Sequence, residues 1–560
     1  MKKNISGNVL NSWILLSLSL FALLSNPAIG TLQGHESWSY NLNLYEVNTR
    51  QYTRSGTFQA FKTHLDRLAD MGVGILWFMP IHPIGSKNRL GALGSPYSVK
   101  DYLNVNPEFG TLDDFKALVD TIHAKGMYVI IDWVANHTSW DNTLTSTNPE
   151  WYITDSNGNF VPPSGTNWTD VIQLDYSKQG LRDYMIDAMA YWINEVGVDG
   201  FRCDAASFIP TDFWSTAIAE LKQIRPGILM LAEDDGTKYQ SLGFDMTYAW
   251  GMYGFGQGVL KRIAEGTSNV NELDNYIKNE LKTYSGDHYR MYFTSNHDEN
   301  AWYGTDSELF GNAAGVFAAL TATVNGMQLI YGGQEAGLNK RLLFFDKDEI
   351  PWQKNPYADT YKTLLKLKKE NQALWNGSKG GTFQRVNTTN NQIIFSFVRE
   401  KEDDKIFAVF NLSSGYNGAT LTDTLFYGSY IDIFTGDTVT FAQSTSMSLP
   451  GWSYLIYKTI STTTGINTVF EPVTDFRLHQ NYPNPFNPST TIRFEIPIHA
   501  NVTLKIYDLF GREMFTLVNE NHNAGSHTAY WNATGFASGV YLYRLQVKNY
   551  SETKKLVLLR

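Results

Sequence analysis

Cysteine is almost absent from this chain of 560 residues, because Cys203 is its only one. One cysteine excludes an intramolecular disulfide and any metal site built from a cysteine cluster. Basic residues are also outnumbered, with 45 Lys and Arg against 55 Asp and Glu and a net charge of −10. Proteins that bind nucleic acid need basic patches, so this balance argues against a nucleic-acid partner.

Long apolar runs are missing as well, apart from a short one near the N-terminus. There, Lys2 and Lys3 precede the mostly apolar residues 13–24, and small residues follow at 28–30. This pattern predicts a secretory signal peptide over residues 1–30, with a membrane anchor as the alternative. The apolar run is shorter than the ~20 residues of a spanning helix, so we expect a secreted protein without a permanent membrane span.

The chain is too long for one compact core and is expected to form several domains. Within residues 31–377, short apolar runs alternate with helix-like segments, which predicts an α/β fold with a parallel (β/α)8 barrel of the TIM type. A helix is predicted over residues 181–196, where apolar side chains recur every three or four positions before Gly197. The eight predicted strands occupy residues 42–47, 74–79, 128–133, 198–204, 228–233, 242–247, 289–295 and 327–331.

Segments outside the regular alternation predict the remaining organisation. Residues 138–175 are an unusually long connection after the third strand, which indicates a functional segment that walls one side of a substrate cleft. From residue 378 to 460 the apolar period changes to two, as in a small antiparallel β domain. Residues 461–475 predict a linker, and residues 476–560 predict a second all-β domain.

Four polar motifs follow predicted strands and supply side chains for acid–base chemistry. In a parallel barrel the carboxyl ends of the strands meet on one face, where catalysis occurs, so the motifs predict one active site. The motifs are Asp132-Trp-Val-Ala-Asn136-His137, Gly200-Phe-Arg202-Cys-Asp204, Leu231-Ala-Glu233-Asp234 and Phe293-Thr-Ser-Asn296-His297-Asp298.

Strand geometry predicts how the second motif is arranged. Side chains alternate along a strand, so Arg202 and Asp204 face the lumen while Phe201 and Cys203 pack under the helices. A neighbouring arginine keeps a carboxylate ionised and oriented, as nucleophilic attack on a sugar carbon requires. Cys203 is then a small core residue.

The other motifs add a second carboxyl group and its surroundings. Glu233 follows an apolar strand, and such an environment raises a carboxyl pKa and favours a general acid. A nucleophile and an acid on adjacent strands suit glycoside hydrolysis, in which retaining enzymes hold them ~5–5.5 Å apart. Asp298, with His297, can stabilise a cationic transition state. A salt-bridge network at the barrel mouth and a zinc site at His137 and His297 are the alternatives.

At these residues the chain resembles the α-amylase superfamily of retaining α-glucan hydrolases and transglycosylases. The resemblance extends over residues 40–458 and includes Ser95-Pro-Tyr97 and Gly326-Met-Gln-Leu-Ile-Tyr-Gly-Gly-Gln-Glu335. It implies that Asp204 is the nucleophile, Glu233 the acid/base and Asp298 the transition-state stabiliser. It further implies sugar stacking by Tyr97, polar contacts with substrate by His137, Arg202 and His297, and a supporting role for Asp132. Residues 138–175 resemble the family's protruding loop domain, which is short in this chain.

Two departures from the family pattern affect the expected metal and products. Ser207 and Phe208 stand where many members have a Lys-His pair, and Gln173 stands where many have an Asp. The resemblance implies that the missing His and Asp usually join Asn136 in a structural calcium site, so that site is not expected to be complete. No organic cofactor is expected. The Lys-His pair also contacts the aglycone side, which leaves the product pattern open.

The tail resembles a second family, the C-terminal sorting domains of type IX secretion. The matching residues are Asn481-Tyr-Pro-Asn-Pro-Phe-Asn-Pro488, Tyr507-Asp-Leu-Phe-Gly-Arg512 and Gly539-Val-Tyr-Leu-Tyr-Arg544. This resemblance implies export by the type IX machinery, with release or attachment at the outer cell surface. A starch-binding β-sandwich is the alternative, and it would need exposed aromatic side chains such as those of Trp531, Tyr541 and Tyr543.

The sequence thus predicts a secreted, retaining α-amylase that hydrolyses internal α-1,4 bonds of starch and maltodextrins. Ala205 supports α-1,4 specificity, because it resembles the residue after the nucleophile in α-1,4-acting members. A maltogenic, cyclodextrin-degrading or transglycosylating relative is one alternative. A catalytically silent barrel that binds glucan or partner proteins is another, and the retention of three carboxylates with Arg202 argues against it.

Overall fold

The computed structural model describes residues 35–284, 286–460, 475–481, 484–522 and 525–559. The predicted signal peptide at 1–30 and almost all of the predicted linker at 461–475 lie outside these residues. In the described part of the chain, no helix is long and apolar enough to cross a membrane.

Eight parallel strands close into a barrel, in which the first strand is hydrogen-bonded to the last. The predicted (β/α)8 fold is therefore confirmed. Parallel strands covered on both faces read as mostly apolar runs, which is why the barrel was recognisable in the sequence. The strands are Leu44–Val47, Ile75–Phe78, Tyr128–Trp133, Gly200–Cys203, Leu229–Ala232, Met246–Tyr248, Tyr289–Tyr292 and Met327–Tyr331.

The sixth strand begins later than residues 242–247 suggest. Lys238–Ser241 is a short helix, and Gly243 then takes a φ of 99°, which L side chains rarely adopt. The backbone N–H of Phe244 donates to the carbonyl of Tyr239, which closes this turn before the strand starts. The apolar side chains at 242 and 244 therefore belong to a turn that packs against the barrel.

Helices connect the strands and form the outer layer. The helix predicted over 181–196 is Gln179–Tyr191, followed by a π-helical turn Trp192–Val196 and then Gly197 in the left-handed conformation that ends helices. The other α-helices are Thr49–Tyr52, Phe58–Lys62, Leu65–Met71, Leu112–Ala124, Leu144–Thr147, Thr211–Ile224, Lys238–Ser241, Trp250–Tyr253, Val259–Ala264, Val270–Thr283, Asp306–Phe310, Ala314–Thr323 and Pro356–Glu370.

The long connection after the third strand is anchored by its own two-stranded sheet. His137–Ser139 pairs antiparallel with Val171–Gln173, so both ends of the connection are fixed beside the barrel mouth. Tyr152 is buried inside it, and its hydroxyl lies 3.0 Å from the hydroxyl of Thr138. The segment therefore has a small packed interior and both of its ends are paired.

Two all-β regions follow the barrel. The first has a six-stranded and a two-stranded antiparallel sheet, built from Thr382–Val386, Ile394–Lys401, Asp404–Asn411, Asn417–Leu421, Gly428–Asp432, Thr438–Phe441, Thr445–Leu449 and Ser453–Thr459. The second has a three-stranded and a four-stranded sheet, built from Arg477–Leu478, Ser489–Ile496, Ala500–Tyr507, Glu513–His522, Gly525–Asn532, Gly539–Val547 and Tyr550–Leu558.

The aromatic side chains of the tail point inward. Trp531, Tyr541 and Tyr543 are buried in the core that the two sheets of the tail share. A carbohydrate-stacking face built from these three residues is therefore wrong, because their rings are inaccessible to a sugar. They alternate along strands whose inner face is the core of a small sandwich.

Candidate active site

Arg202 lies at the centre of the carboxyl ends of the barrel strands and contacts three carboxylates. Its Nη1 donates hydrogen bonds to Oδ1 of Asp132 and Oδ1 of Asp204, each at 2.9 Å. Its Nη2 lies 2.5 Å from Oε1 of Glu233. Arg202 and Asp204 face this cluster, while Cys203 packs in the core under the helices. One guanidinium thus holds side chains from three neighbouring strands in a fixed arrangement.

Asp204 and Glu233 are carboxyl groups that both lie beside the Arg202 guanidinium, and the pKa of each is raised. Burial raises the pKa of Glu233 to about 7, although the Arg202 guanidinium opposes that shift. Burial also raises the pKa of Asp204, and Arg202 opposes it there too. Oε2 of Glu233 accepts a hydrogen bond from the backbone N–H of Ala205 at 2.7 Å. Ala205 has a φ of 43°, and this turn is the backbone conformation that presents its N–H to Glu233.

His297 connects Asp298 with the buried residue Glu46. Nδ1 of His297 lies 2.6 Å from Oε1 of Glu46, and Nε2 lies 3.4 Å from Oδ2 of Asp298. Burial lowers the pKa of His297, but the carboxylates of Asp298 and Glu46 outweigh that effect and raise it to about 9. His297 is therefore a buried cation at neutral pH. Its charge orients the more open carboxylate of Asp298.

Tyr97 joins the histidine to the arginine cluster. Its hydroxyl lies 2.7 Å from Nε2 of His297 and donates to Oδ2 of Asp132 at 3.1 Å. A protonated His297 donates through Nε2, which leaves the tyrosine proton free for Asp132. Trp77 donates to the same carboxylate oxygen at 3.2 Å. Asp132 thus accepts hydrogen bonds from Trp77, Tyr97 and Arg202 and links these side chains.

His137 borders the site on the side of the loop domain. Its side chain is buried, and the centre of its ring lies 5.3 Å from that of Trp168. Burial lowers the pKa of His137 to about 4. A neutral imidazole can donate or accept a hydrogen bond to a sugar hydroxyl. Phe208 is half exposed, with its ring 5.9 Å from that of Trp168, so this side of the mouth is aromatic.

The calcium site expected around Asn136 lacks two of the family's usual ligands. Gln173 and Phe208, both uncharged, stand at those two positions. The amide nitrogen of Asn136 lies 3.4 Å from Nδ1 of His137. Oε1 of Gln173 accepts a hydrogen bond from the backbone N–H of Ser164 at 3.3 Å. Neither Gln173 nor Phe208 brings a carboxylate to a calcium ion. Among the described residues, no group of three or more His, Cys, Asp or Glu side chains is arranged to hold a metal ion.

Sequence reasoning missed Glu46, Trp77 and Tyr248 as parts of this site. Tyr248 accepts a hydrogen bond from Nε of Arg202 at 3.2 Å, and Glu46 is fully buried against His297. A signal for Glu46 was present, because an acidic residue inside an apolar barrel strand must find a buried partner. Tyr248 had no comparable signal, because the end of its strand was misplaced.

The sequence match covers the barrel and continues into the first β region. A sequence model described as alpha amylase, catalytic domain, matches residues 40–405, which is more than half of the chain. The chain belongs to this family. A second model, described as a secretion system C-terminal sorting domain, matches residues 480–559. Both family resemblances inferred from the sequence are confirmed.

Individual relatives of the family agree with this assignment. Alpha-amylase 2 of Dictyoglomus thermophilum is 26% identical over 413 residues, 69% of this chain and 68% of the relative. A cyclomaltodextrinase of a Bacillus species is 25% identical over 384 residues, 64% of this chain and 65% of the relative. The chain is thus an α-amylase family glycoside hydrolase.

Solved structures of the family superpose on most of the chain. An alpha-amylase from Lactobacillus plantarum has a TM-score of 0.67 and 30% identity, covering 76% of this chain and 100% of its own. A noncanonic maltogenic alpha-amylase from Thermotoga neapolitana has a TM-score of 0.67 and 29% identity, covering 75% of this chain and 99% of its own.

Proposed function

We propose that this enzyme is a secreted, retaining α-amylase that cleaves internal α-1,4 bonds of starch and maltodextrins by double displacement. The observation that carries the proposal is the pair of carboxyl groups on either side of Arg202. Arg202 holds both groups, and burial raises the pKa of Glu233 to about 7 and that of Asp204 to about 6, so Glu233 keeps its proton more readily than Asp204. Such a pair supplies a nucleophile and a proton donor at the same pH.

In the first step the carboxylate of Asp204 attacks the anomeric carbon and the glycosidic bond breaks. Glu233 gives its proton to the departing oxygen, so the leaving chain departs as a neutral alcohol. In the second step Glu233, now ionised, takes a proton from water, and the water oxygen displaces Asp204 from the anomeric carbon. These steps use only protein side chains and water, so they need no organic cofactor.

The other residues of the site support charge development in both steps. The sugar ring gains positive charge in each transition state, and the carboxylate of Asp298 faces that charge. Tyr97 offers a ring for stacking on the sugar undergoing cleavage, and its position is fixed by Asp132 and His297. His137, Arg202 and His297 supply polar contacts to the sugar hydroxyls.

A maltogenic, cyclodextrin-degrading or transglycosylating activity is the second candidate. The observation that favours it is the aromatic surface of Phe208 and Trp168, in place of the charged pair common in the family. An aromatic surface at the aglycone side can stack on the apolar face of a sugar, and it also excludes water from that side. Two of the relatives are a cyclomaltodextrinase and a maltogenic α-amylase, which is consistent with this candidate.

The tail supports a proposal about where the enzyme acts. A sorting domain of the type IX system implies passage across the outer membrane, so the enzyme would meet polymeric glucan outside the cell. Its partners are then an α-glucan substrate and the type IX secretion machinery.

Purified enzyme incubated with soluble starch tests the proposed activity. We expect new reducing ends, a mixture of oligosaccharides by chromatography, and an α-anomer as the first product by NMR. The Asp204→Asn variant should keep its fold and lose nearly all turnover, because an amide cannot attack the anomeric carbon. If the folded variant keeps more than a few per cent of wild-type activity, the assignment of Asp204 as the nucleophile is wrong. Maltose as the sole early product would favour the maltogenic candidate.

A further inference from the structure

Trp302 is a half-exposed aromatic residue at the barrel mouth that the proposed mechanism does not use. It lies in the π-helical turn Glu299–Tyr303, directly after Asp298. Its indole Nε1 donates a hydrogen bond to Oδ1 of Asp298 at 3.2 Å. The hydrogen bond holds one edge of the indole against the carboxylate. The residue is 50% exposed, so part of the ring stays open to solvent.

An aromatic row connects Trp302 with the predicted cleavage position. The ring of Phe344 lies 5.1 Å from that of Trp302 and 6.2 Å from that of Tyr97, and it is nearly parallel to Tyr97 at 10°. Phe345 supports Trp302 from a distance of 5.9 Å. The row thus leads from Tyr97 outward to an accessible ring.

The two oxygens of Asp298 are held by different residues. Oδ1 accepts from Trp302, while Oδ2 faces the cationic His297 at 3.4 Å. The side chain of Asp298 is 35% exposed, against 11% for Asp204 and 19% for Glu233. A carboxylate this open has few packing contacts to fix its rotamer, so each hydrogen bond matters for its orientation.

We propose that Trp302 binds a glucosyl unit next to the one undergoing cleavage and, through its indole N–H, fixes the carboxylate of Asp298. The inference rests on the proposed function and extends it. The apolar C–H face of a glucopyranose ring suits an indole surface, and the N–H of tryptophan can only donate. Trp302 is therefore a positioning residue for Asp298 whose ring also contributes to glucan binding.

Two substitutions separate the two contributions. Trp302→Phe keeps an aromatic ring but removes the N–H, whereas Trp302→Leu removes both. We expect Trp302→Phe to lower kcat on maltoheptaose about tenfold, the effect of losing one hydrogen bond to an ionised group. Its Kd for maltoheptaose should change less than about twofold, because the stacking surface remains. Trp302→Leu should show the same loss of kcat and a Kd about tenfold higher.

The Kd values are measured by calorimetry in the Asp204→Asn background, so that maltoheptaose is not consumed. Phe255→Leu is the matched control. Phe255 is also a half-exposed aromatic residue, but its ring stacks on Trp250 at 4.5 Å, and it takes no part in the proposed mechanism. We expect this control to keep both kcat and Kd. Melting temperatures confirm that all variants are folded.

Each part of the proposal has its own contrary result. Wild-type kcat in folded Trp302→Phe would overturn the positioning of Asp298, and an unchanged Kd in Trp302→Leu would overturn the glucan contact. Turnover in folded Asp204→Asn would instead refute the proposed function. If that variant is inactive while both Trp302 variants behave like wild type, only the inference about Trp302 fails.

Discussion

Arg202 joins three carboxyl groups of this site, because its guanidinium contacts Asp132, Asp204 and Glu233. Removing one partner of a buried ion pair usually costs more than the pair contributes, since the remaining charge stays buried without compensation. Asp132, which is fully buried, depends on Arg202, Trp77 and Tyr97 for its hydrogen bonds. The site is therefore a coupled unit, and its members are not independent in mutational experiments.

Glu233→Gln should distinguish the two chemical steps. We expect the variant to be inactive on starch but less impaired on a glucoside with a strongly activated leaving group, which needs no proton. With the activated substrate, hydrolysis of the glycosyl-enzyme becomes the slow step because the base is missing. The measurement is kcat and kcat/KM on both substrates. Equal losses on the two would argue against Glu233 as the acid.

The pH dependence of kcat/KM should reflect both carboxyl groups. Glu233 must be protonated to act as an acid, and burial raises its pKa to about 7, so activity falls as the pH rises through that value. Asp204 must be ionised, and burial raises its pKa too, so activity also falls on the acidic side. The control is Glu233→Gln with an activated substrate, whose first step should lose the basic limb. A wild-type profile that is flat from about pH 6 to pH 9 would contradict this assignment.

At the scale of secondary-structure elements, the ends of the strands determine where the chemistry is. In the parallel pairing of the third and fourth strands, Asp132 lies opposite Arg202. After Gly200–Cys203 the chain turns at Ala205, whose backbone N–H donates to Glu233. The loop domain is fixed by the pairing of His137 with Gln173. Backbone hydrogen bonds between the two paired strands hold both of its ends.

Chelation should therefore lower the thermal stability only slightly. A metal that binds only the folded protein adds stability by mass action, so its removal would be visible as a lower Tm. With Gln173 and Phe208 at the two divergent positions, we expect a Tm shift of no more than about 2 °C with EDTA. Gln173→Asp is the matched variant, which should make the Tm more sensitive to calcium. A large drop in the wild-type protein that calcium reverses would show that the ion is bound.

The sequence allowed seven of the eight barrel strands to be placed closely, because each is a short, mostly apolar run, whereas the prediction for the sixth shares only residues 246 and 247 with Met246–Tyr248. It also brought Arg202 and Asp204 to the same face, because alternation along a strand is a local property. The contact between His297 and Glu46 could not be predicted, since it joins residues 251 positions apart. The hydrogen bond from Trp302 to Asp298 depends on a π-helical turn, which has no reliable sequence signal.

At the scale of the whole molecule, the catalytic barrel and the first β region share a hydrophobic core. Phe317 of a barrel helix lies in the same cluster as Phe397, Phe410 and Ile456 of the antiparallel sheet. The core of the tail consists only of residues between Leu478 and Leu558. The first β region is thus integral to the enzyme, whereas the tail has a core of its own.

A chain that ends after Ile460 should keep its activity on soluble starch. This position preserves the strand Ser453–Thr459, and none of the catalytic carboxylates lies beyond it. We expect kcat/KM within about twofold of the full-length enzyme, because the core of the tail is separate. In a host with the matching secretion system, the shortened protein should accumulate in the periplasm. Normal export combined with lost adsorption to granular starch would favour a carbohydrate-binding tail.

The pairing of the first barrel strand with the last determines when the chain can become an enzyme. Leu44 lies opposite Leu329, so the barrel cannot close until the chain has been delivered as far as residue 329. Until then an emerging or translocating chain has two open edges of unpaired N–H and C=O groups, which attract other strands. Pairings this distant in sequence also form slowly. Closure of the barrel therefore removes both exposed strand edges, and with them the risk of aggregation, in the same step that completes the active site.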